Sequence, residues 1–98
     1  MVKALLTQPI LAYPRFNSDK PFIVDTDWSM ENAAIGGVLS QEQDHLERVI
    51  AYGAHKLLPS QTRYGSTKGE LYALIYFIQY WKYFLQFRPF LVRTDQWL

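Results

Sequence analysis

The chain has 98 residues, which is enough for one small domain. A domain of this size buries a smaller fraction of its surface on folding than a larger one does. A hydrophobic fraction of 49% and an aromatic fraction of 16% argue against wholesale disorder, and the lack of cysteine excludes a disulfide scaffold and a thiolate zinc site. A formal net charge of +1 does not indicate nucleic-acid binding, which would therefore depend on local basic side chains.

The first 21 residues predict an extended lead-in. Pro9 and Pro14 disfavour a long helix, and a cluster of turn-forming residues at 17–21 closes the segment. No signal peptide is recognisable, and the longest apolar stretch, 71–87, is interrupted by polar side chains. We therefore expect an intracellular chain without a membrane span, and divide it into a lead-in, 1–21, and a domain, 22–98.

Three strands are predicted next. Residues 22–26 alternate, with Phe22, Val24 and Thr26 on one face and Ile23, Asp25 and Asp27 on the other. Residues 33–41 form the second strand, where adjacent glycines at 36 and 37 permit a bulge or a close backbone approach. Residues 42–45 predict a turn, and residues 48–53 predict a third strand antiparallel to the second.

A long helix is predicted from residue 67 to about residue 86. Thr67 and Glu70 have the spacing of a capping box. At helical spacing, the predicted apolar face consists of Leu71, Leu74, Ile78, Trp81 and Leu85. Another side of the helix carries a half-polar stripe of Tyr72, Tyr76 and Tyr83.

Residues 90–94 predict a fourth strand after Pro89. A helix that connects two strands favours parallel pairing with a right-handed crossover. The sequence thus predicts an α/β (α+β) fold, a mixed sheet of three antiparallel strands with the fourth parallel to the first, and the helix across one face.

Three acids are candidate metal ligands. Asp27 and Asp95 each follow an apolar run that ends in the same Thr-Asp pair, so adjacent parallel strands would bring them side by side at one sheet edge. Glu70 lies in the first turn of the connecting helix. Carboxylates held together require a cation, and oxygen-only ligands suit Mg²⁺ or Mn²⁺. Taken singly, a Thr-Asp pair is also an ordinary turn signal, and Glu70 is also a cap residue.

Other polar residues allow more than one interpretation. Asp25 is a third ligand, an acid supporting the ligands, or a solvated strand residue. Lys68 and Arg93 are candidates for nucleic-acid contact, as are Lys82 and Arg88. His45 and His55 lack paired ligand spacing and are interpreted as surface residues. The tyrosine stripe fits either base stacking or packing.

The order of these segments resembles the RNase H domain in the Pol polyprotein of gypsy-type LTR retrotransposons. Residues 6–14 are similar to the lead-in between the reverse transcriptase and RNase H domains. FIVDTDWSMENAAIGGVLSQ, 22–41, resembles the first two strands, and YGSTKGELYAL, 64–74, resembles the helix opening. Residues 50–52 and 57–64 are similar to the third strand and its following loop, and 93–95 to the end of the fourth strand.

The resemblance implies an RNase H-like fold that hydrolyses the RNA strand of RNA/DNA hybrids with two Mg²⁺ (or Mn²⁺) ions. Asp27, Glu70 and Asp95 fall on the first three of four metal-binding carboxylates, and the fourth lies beyond Leu98 in family members. The implied partners are the hybrid and the reverse transcriptase domain, in the cytoplasm, a virus-like particle or the nucleus. Trp28 departs from the family's frequent alanine, as Ala54 and Gln96 depart from its serine and histidine.

The sequence allows three hypotheses, of which the first is an excerpt of an active nuclease. We expect the 98-residue piece alone to be weakly active or inactive. The alternative is a domesticated or degenerate remnant that binds protein or nucleic acid without cutting it, with an exposed sheet edge that a partner or a second copy covers. A structural connector within a polymerase polyprotein is a third hypothesis.

Overall fold

The computed structural model describes residues 11–29, 31–58 and 66–93, without the side chains of residues 66–68. In chain order its elements are β1 (Phe22–Ser29), β2 (Ala34–Gln43), β3 (Leu46–Lys56), the helices α1 (Ser66–Tyr80) and α2 (Lys82–Leu85), and β4 (Phe90–Arg93). Among the described residues no helix has the length and apolar character needed to cross a bilayer.

The four strands form one sheet in the order β3-β2-β1-β4. β1 pairs antiparallel with β2, and β2 with β3. β4 lies parallel to β1, with Asp25 opposite Arg93. The predicted mixed sheet is therefore confirmed.

β2 and β3 are longer than predicted because their pairing continues to a tight hairpin. Only Asp44 and His45 remain in the turn, with φ of 56° and 70°. Positive φ at both positions is the backbone conformation that the commonest two-residue hairpin turns require. The register shift falls between Leu39 and Ser40, and not at Gly36 and Gly37, where a bulge was considered.

Gly37 instead permits a close approach by the helix. A Cβ at this position would lie 2.8 Å from Cγ of Phe77, and one at Gly53 would lie 2.7 Å from Cε1 of the same ring. Phe77 thus packs flat on two neighbouring strands because neither has a side chain there, and this contact places α1 on the sheet.

The buried face of the helical segment agrees with the prediction at Trp81 and Leu85 and differs from it in the residues before them. Ala73, Phe77, Trp81 and Leu85, four residues apart, are buried, whereas Leu71 is 45% exposed. Leu74 and Ile78 are only partly buried. The helix is apolar on most of its circumference, so its own pattern does not determine which side faces the sheet.

α1 ends at Tyr80 and the chain continues through Trp81 into the short α2. The Trp81 amide still donates to the Phe77 carbonyl at 3.0 Å, and the Leu85 amide donates to the Trp81 carbonyl at 3.2 Å. The predicted helix is therefore present over its length, with a break at Trp81. The side chain of Thr67 is not among those described, so its capping role stays a prediction.

The core lies between the sheet and the helices. Phe22, Val24, Ile35 and Leu39 form its sheet side and are at most 2% exposed. Complete burial of such a side chain contributes about 1.5–3 kcal/mol, so this layer carries much of the folding free energy.

Two buried glutamines of β2 hold the described part of the lead-in. The Gln41 amide nitrogen donates to the carbonyls of Arg15 and Lys20 at 2.9 and 3.0 Å, and its oxygen accepts from the Arg15 amide at 3.0 Å. Gln43 donates to the Tyr13 carbonyl at 2.8 Å. The lead-in therefore packs against the sheet from at least Tyr13 onward.

Candidate active site

The end of β1 and the start of α1 meet at Trp28 and Gly69. A Cβ at Gly69 would collide with three atoms of the Trp28 indole, so the ring lies directly on the helix backbone. Asp27 precedes Trp28 and Glu70 follows Gly69. Each candidate acid is thus the immediate neighbour of a residue in this contact, and both belong to the same edge of the fold.

Asp27 is exposed and lies on the face of the sheet away from α1, because side chains alternate along β1 and Trp28 faces the helix. Its partner across the sheet is Gly36, which has no side chain to cover it. Asp27 and Gly36 line an open cavity of about 320 Å³ together with Asp25, Val38 and Tyr52. A carboxylate in this position is accessible to solvent and to a large substrate.

Glu70 is partly buried at the fifth residue of α1. Asp95 lies outside the described residues. Within the described part of the chain, no three acidic, histidine or cysteine side chains are grouped closely enough to hold a metal ion. The structure therefore brings the neighbourhoods of Asp27 and Glu70 together and leaves the third ligand without a described position.

The donor set at this edge fits a hard divalent cation. Asp27 and Glu70 offer only carboxylate oxygens, the ligand type that Mg²⁺ and Mn²⁺ prefer. The exposure of Asp27 leaves room for the water molecules that Mg²⁺ usually retains.

Arg93 forms an ion-pair network on the same face of the sheet. Its Nε and Nη2 donate to the two oxygens of Asp25, each at 2.8 Å, and its Nη1 and Nη2 donate to Glu47 at 3.1 and 2.6 Å. These hydrogen bonds raise the pKa of Arg93, Asp25 having the larger effect. The guanidinium that was a candidate for nucleic-acid contact is thus bonded to two carboxylates of its own chain.

This network also defines Asp25, the candidate supporting acid, as the bidentate partner of Arg93. Sequence reasoning missed Glu47, which lies on β3 two strands away from β1. No local signal distinguishes Glu47 from other polar strand residues. β3 and β4 are the two edge strands of the described sheet, so the contact arises only in the folded structure, where Arg93 reaches Glu47 with hydrogen bonds of 3.1 and 2.6 Å.

The remaining candidates have varied surroundings. The Lys68 side chain is not described, and Lys82 is exposed with its Nζ 5.2 Å from the Tyr83 ring centroid. His45 is exposed as predicted, but His55 is partly buried and stacks on Tyr76 with 4.5 Å between ring centroids. That stacking supports packing over base recognition for Tyr76.

Comparison with known proteins adds a family assignment. The family described as an RNase H-like domain found in reverse transcriptase matches residues 1–92. The chain is similar to the retrovirus-related Pol polyprotein from transposon opus of Drosophila melanogaster, with 40% identity over 72 residues, which is 74% of this chain and 7% of that protein.

A second similar protein is the retrovirus-related Pol polyprotein from transposon 297 of Drosophila melanogaster. It is 33% identical over 95 residues, covering 96% of this chain and 8% of that protein. The chain therefore spans less than a tenth of the length of these two relatives.

Proposed function

Because the chain belongs to the family of RNase H-like domains found in reverse transcriptase, we propose that it is the RNase H-like part of a retrotransposon Pol polyprotein. In the whole protein it hydrolyses the RNA strand of RNA/DNA hybrids with two Mg²⁺ or Mn²⁺ ions. A gypsy-type LTR element is consistent with both Drosophila relatives.

The observation that carries this proposal is the contact between Trp28 and Gly69. It brings the end of β1 against the first turns of α1, and Asp27 and Glu70 are the chain neighbours of the two contacting residues. Two carboxylates contributed by a strand end and a helix start, with one of them exposed, are a suitable platform for divalent ions.

Asp95 is the third proposed ligand, and the sequence supports it. It follows Arg93 by two positions, as Asp27 follows Asp25, and Arg93 and Asp25 are opposite each other in the parallel pair of β4 and β1.

Asp27, Glu70 and Asp95 would hold the ions, which when bound activate water and stabilise the leaving oxygen of the phosphodiester. The protein's own contribution is to fix these carboxylates on rigid elements and to leave Asp27 open to the substrate. Recognition would rest on the shape of the hybrid and on the 2′-hydroxyl groups. The reverse transcriptase domain is the proposed partner, in the cytoplasm, a virus-like particle or the nucleus.

Metal binding is tested with the 98-residue chain itself. Mn²⁺ should broaden the backbone amide signals around Asp27 and Glu70 in a ¹⁵N-correlated NMR spectrum, and Asp27→Asn should remove this broadening. Asp19→Asn, which changes an exposed acid of the turn before β1, is the matched control. Equal broadening in wild type and Asp27→Asn would contradict the assigned ligand.

Cleavage is tested with the longer Pol protein on a labelled RNA/DNA hybrid, with and without Mg²⁺. Asp27→Asn, Glu70→Gln and Asp95→Asn should each reduce the rate by ~100-fold or more, since even residues behind metal ligands cost about 10–100-fold. The 98-residue piece should be weak or inactive. Robust cleavage by the piece would contradict the expectation for the isolated fragment, and unchanged cleavage by the variants would overturn the proposal.

A non-catalytic binding module is the second candidate, and the position of β4 favours it. β4 is an edge strand of the described sheet, and its Leu91 is 53% exposed. Such an edge can pair with a partner or a second copy. Sedimentation analysis that finds only monomer at high concentration would count against self-association through this edge.

A further inference from the structure

A second cavity lies at the opposite end of β1 from Asp27. Its volume is about 210 Å³, several times the ~30 Å³ share of one liquid water molecule. The turn before β1 and the segment before β4 form its walls, and its polar lining consists of Arg15, Ser18, Asp19, Lys20 and Arg88. From Phe22 to Asp27 the strand covers about 17 Å at ~3.3 Å per residue, so this cavity is separate from the candidate active site.

Arg88 is the unusual residue in this cavity. Its guanidinium carbon lies 4.7 Å from the ring centroid of Phe16 and 5.9 Å from that of Phe22. Its Nε and Nη1 atoms are buried and have no hydrogen-bond partner among the described residues. The aromatic rings attract the cation but do not accept in-plane N–H bonds, so these two donors still require an acceptor.

The charges around Arg88 favour an anionic acceptor. Arg15 and Lys20 also line the cavity, whereas Asp44 and Glu42, the carboxylates that pair with them at 3.1 and 4.0 Å, do not. Asp19 is the single acid in the lining against three cations. Ser18 adds a hydroxyl, which accepts from the Lys20 amide at 3.0 Å and retains its own proton for donation.

We propose that this cavity binds a phosphate-type oxyanion, with Arg88 as its main anchor and Lys20 and Ser18 as further donors. A guanidinium beside an ammonium and a hydroxyl matches a tetrahedral oxyanion, because charge-assisted N–H bonds to phosphate oxygens are short and strong. The oxyanion is either free phosphate or a phosphate of a nucleic-acid backbone. This site is independent of the metal-binding carboxylates and stands whether or not the chain supports cleavage.

The test uses the 98-residue chain and inorganic phosphate. At constant ionic strength, phosphate should produce saturable amide shifts at residues 18–20 and 88, with a dissociation constant on the order of millimolar. Sulfate should compete, and chloride should not reproduce the shifts. Arg88→Met should weaken phosphate binding about tenfold or more, the effect expected from losing charge-assisted hydrogen bonds.

Lys20→Gln provides a second variant at an exposed position that does not risk the fold, and it should weaken phosphate binding severalfold. Lys56→Gln, an exposed lysine at the end of β3, is the matched control and should bind phosphate as wild type does. Equal responses to phosphate and chloride, or unchanged binding in both Arg88→Met and Lys20→Gln, would overturn the proposal.

The source of the oxyanion is distinguished with an RNA/DNA hybrid in the presence of EDTA, which removes the metal-dependent contribution. If backbone phosphate is the ligand, Lys20→Gln should weaken hybrid binding and free phosphate should compete. If free phosphate is the ligand, hybrid binding should stay unchanged while the phosphate response is lost. Both outcomes require the phosphate response to be present in wild type.

Discussion

The indole of Trp28 lies against Gly69 so closely that a single added methyl group at Gly69 would overlap it. The ring is accommodated because the facing helix position has no side chain. The pair therefore acts as a unit that sets the distance between the acid-bearing ends of β1 and α1.

Gly69→Ala tests this unit. In an unhindered helix the change would stabilise the protein by about 1 kcal/mol, but overlap with Trp28 should cost about 1–3 kcal/mol, so we expect a net loss of free energy of unfolding. In a Trp28→Ala background the same change should become stabilising. Urea denaturation of the four variants measures the coupling, and a Gly69→Ala effect of the same sign in both backgrounds would contradict the contact.

Two neighbouring glycines of β2 should respond differently to alanine. Gly37→Ala places a methyl group 2.8 Å from Phe77, whereas the nearest atom to a Cβ at Gly36 is the Gly53 carbonyl oxygen at 3.8 Å. Gly37→Ala should therefore destabilise the chain by about 1–3 kcal/mol, and Gly36→Ala by less than about 0.5 kcal/mol. Thermal unfolding of the two variants checks this, and equal effects would mean that α1 does not press on Gly37.

Gln41 should determine how firmly the lead-in is attached. Gln41→Leu removes three hydrogen bonds to the backbone of Arg15 and Lys20. Because each contributes about 1 kcal/mol, we expect the free energy of unfolding to fall by about 2–4 kcal/mol. Amide exchange at Arg15 should accelerate with it. Glu42→Gln, at the next position, should leave that exchange unchanged. A Gln41→Leu protein with wild-type exchange at Arg15 would show that the lead-in is held elsewhere.

The ion pair of Arg15 with Asp44 predicts a pH effect. The hydrogen bond from Arg15, and then its charge, lower the pKa of Asp44 below the ordinary carboxyl value. A carboxyl group whose pKa is lowered by folding stabilises the folded state at pH values above its unfolded-state pKa of ~3.9. This stabilisation is lost as the pH falls through the pKa of the folded state.

In Arg15→Gln the pKa of Asp44 should therefore rise toward the ordinary value, as measured by the ¹³C shift of its carboxyl group. The effect on stability should be small, because both side chains are solvent-exposed. Arg48→Gln, which removes a minor charge effect on Asp44, is the comparison. If the pKa of Asp44 changed more in Arg48→Gln than in Arg15→Gln, Arg15 would not be the main cause of its lowering.

Local patterns predicted the sheet because each strand carries its own evidence. The alternation of Phe22, Val24 and Thr26 identified the face of β1 that became buried, and the helix between β3 and β4 indicated the parallel pair. The helix face was predicted less well. Leu71 and Phe77 are equally plausible core residues by periodicity, and the glycines of the sheet decide in favour of Phe77.

The sequence by itself determined the order of the elements, the mixed sheet, and Asp27 and Glu70 as acids at a strand end and a helix start, because these features depend on short-range periodicity and recognisable segments. Only the tertiary structure decided that Trp28 rests on Gly69, that Arg93 is bonded to Glu47, and that Arg88 has unpaired donors in a cationic cavity. Each of these depends on residues far apart in the chain, whose contact is created by packing and leaves no signature in the local sequence.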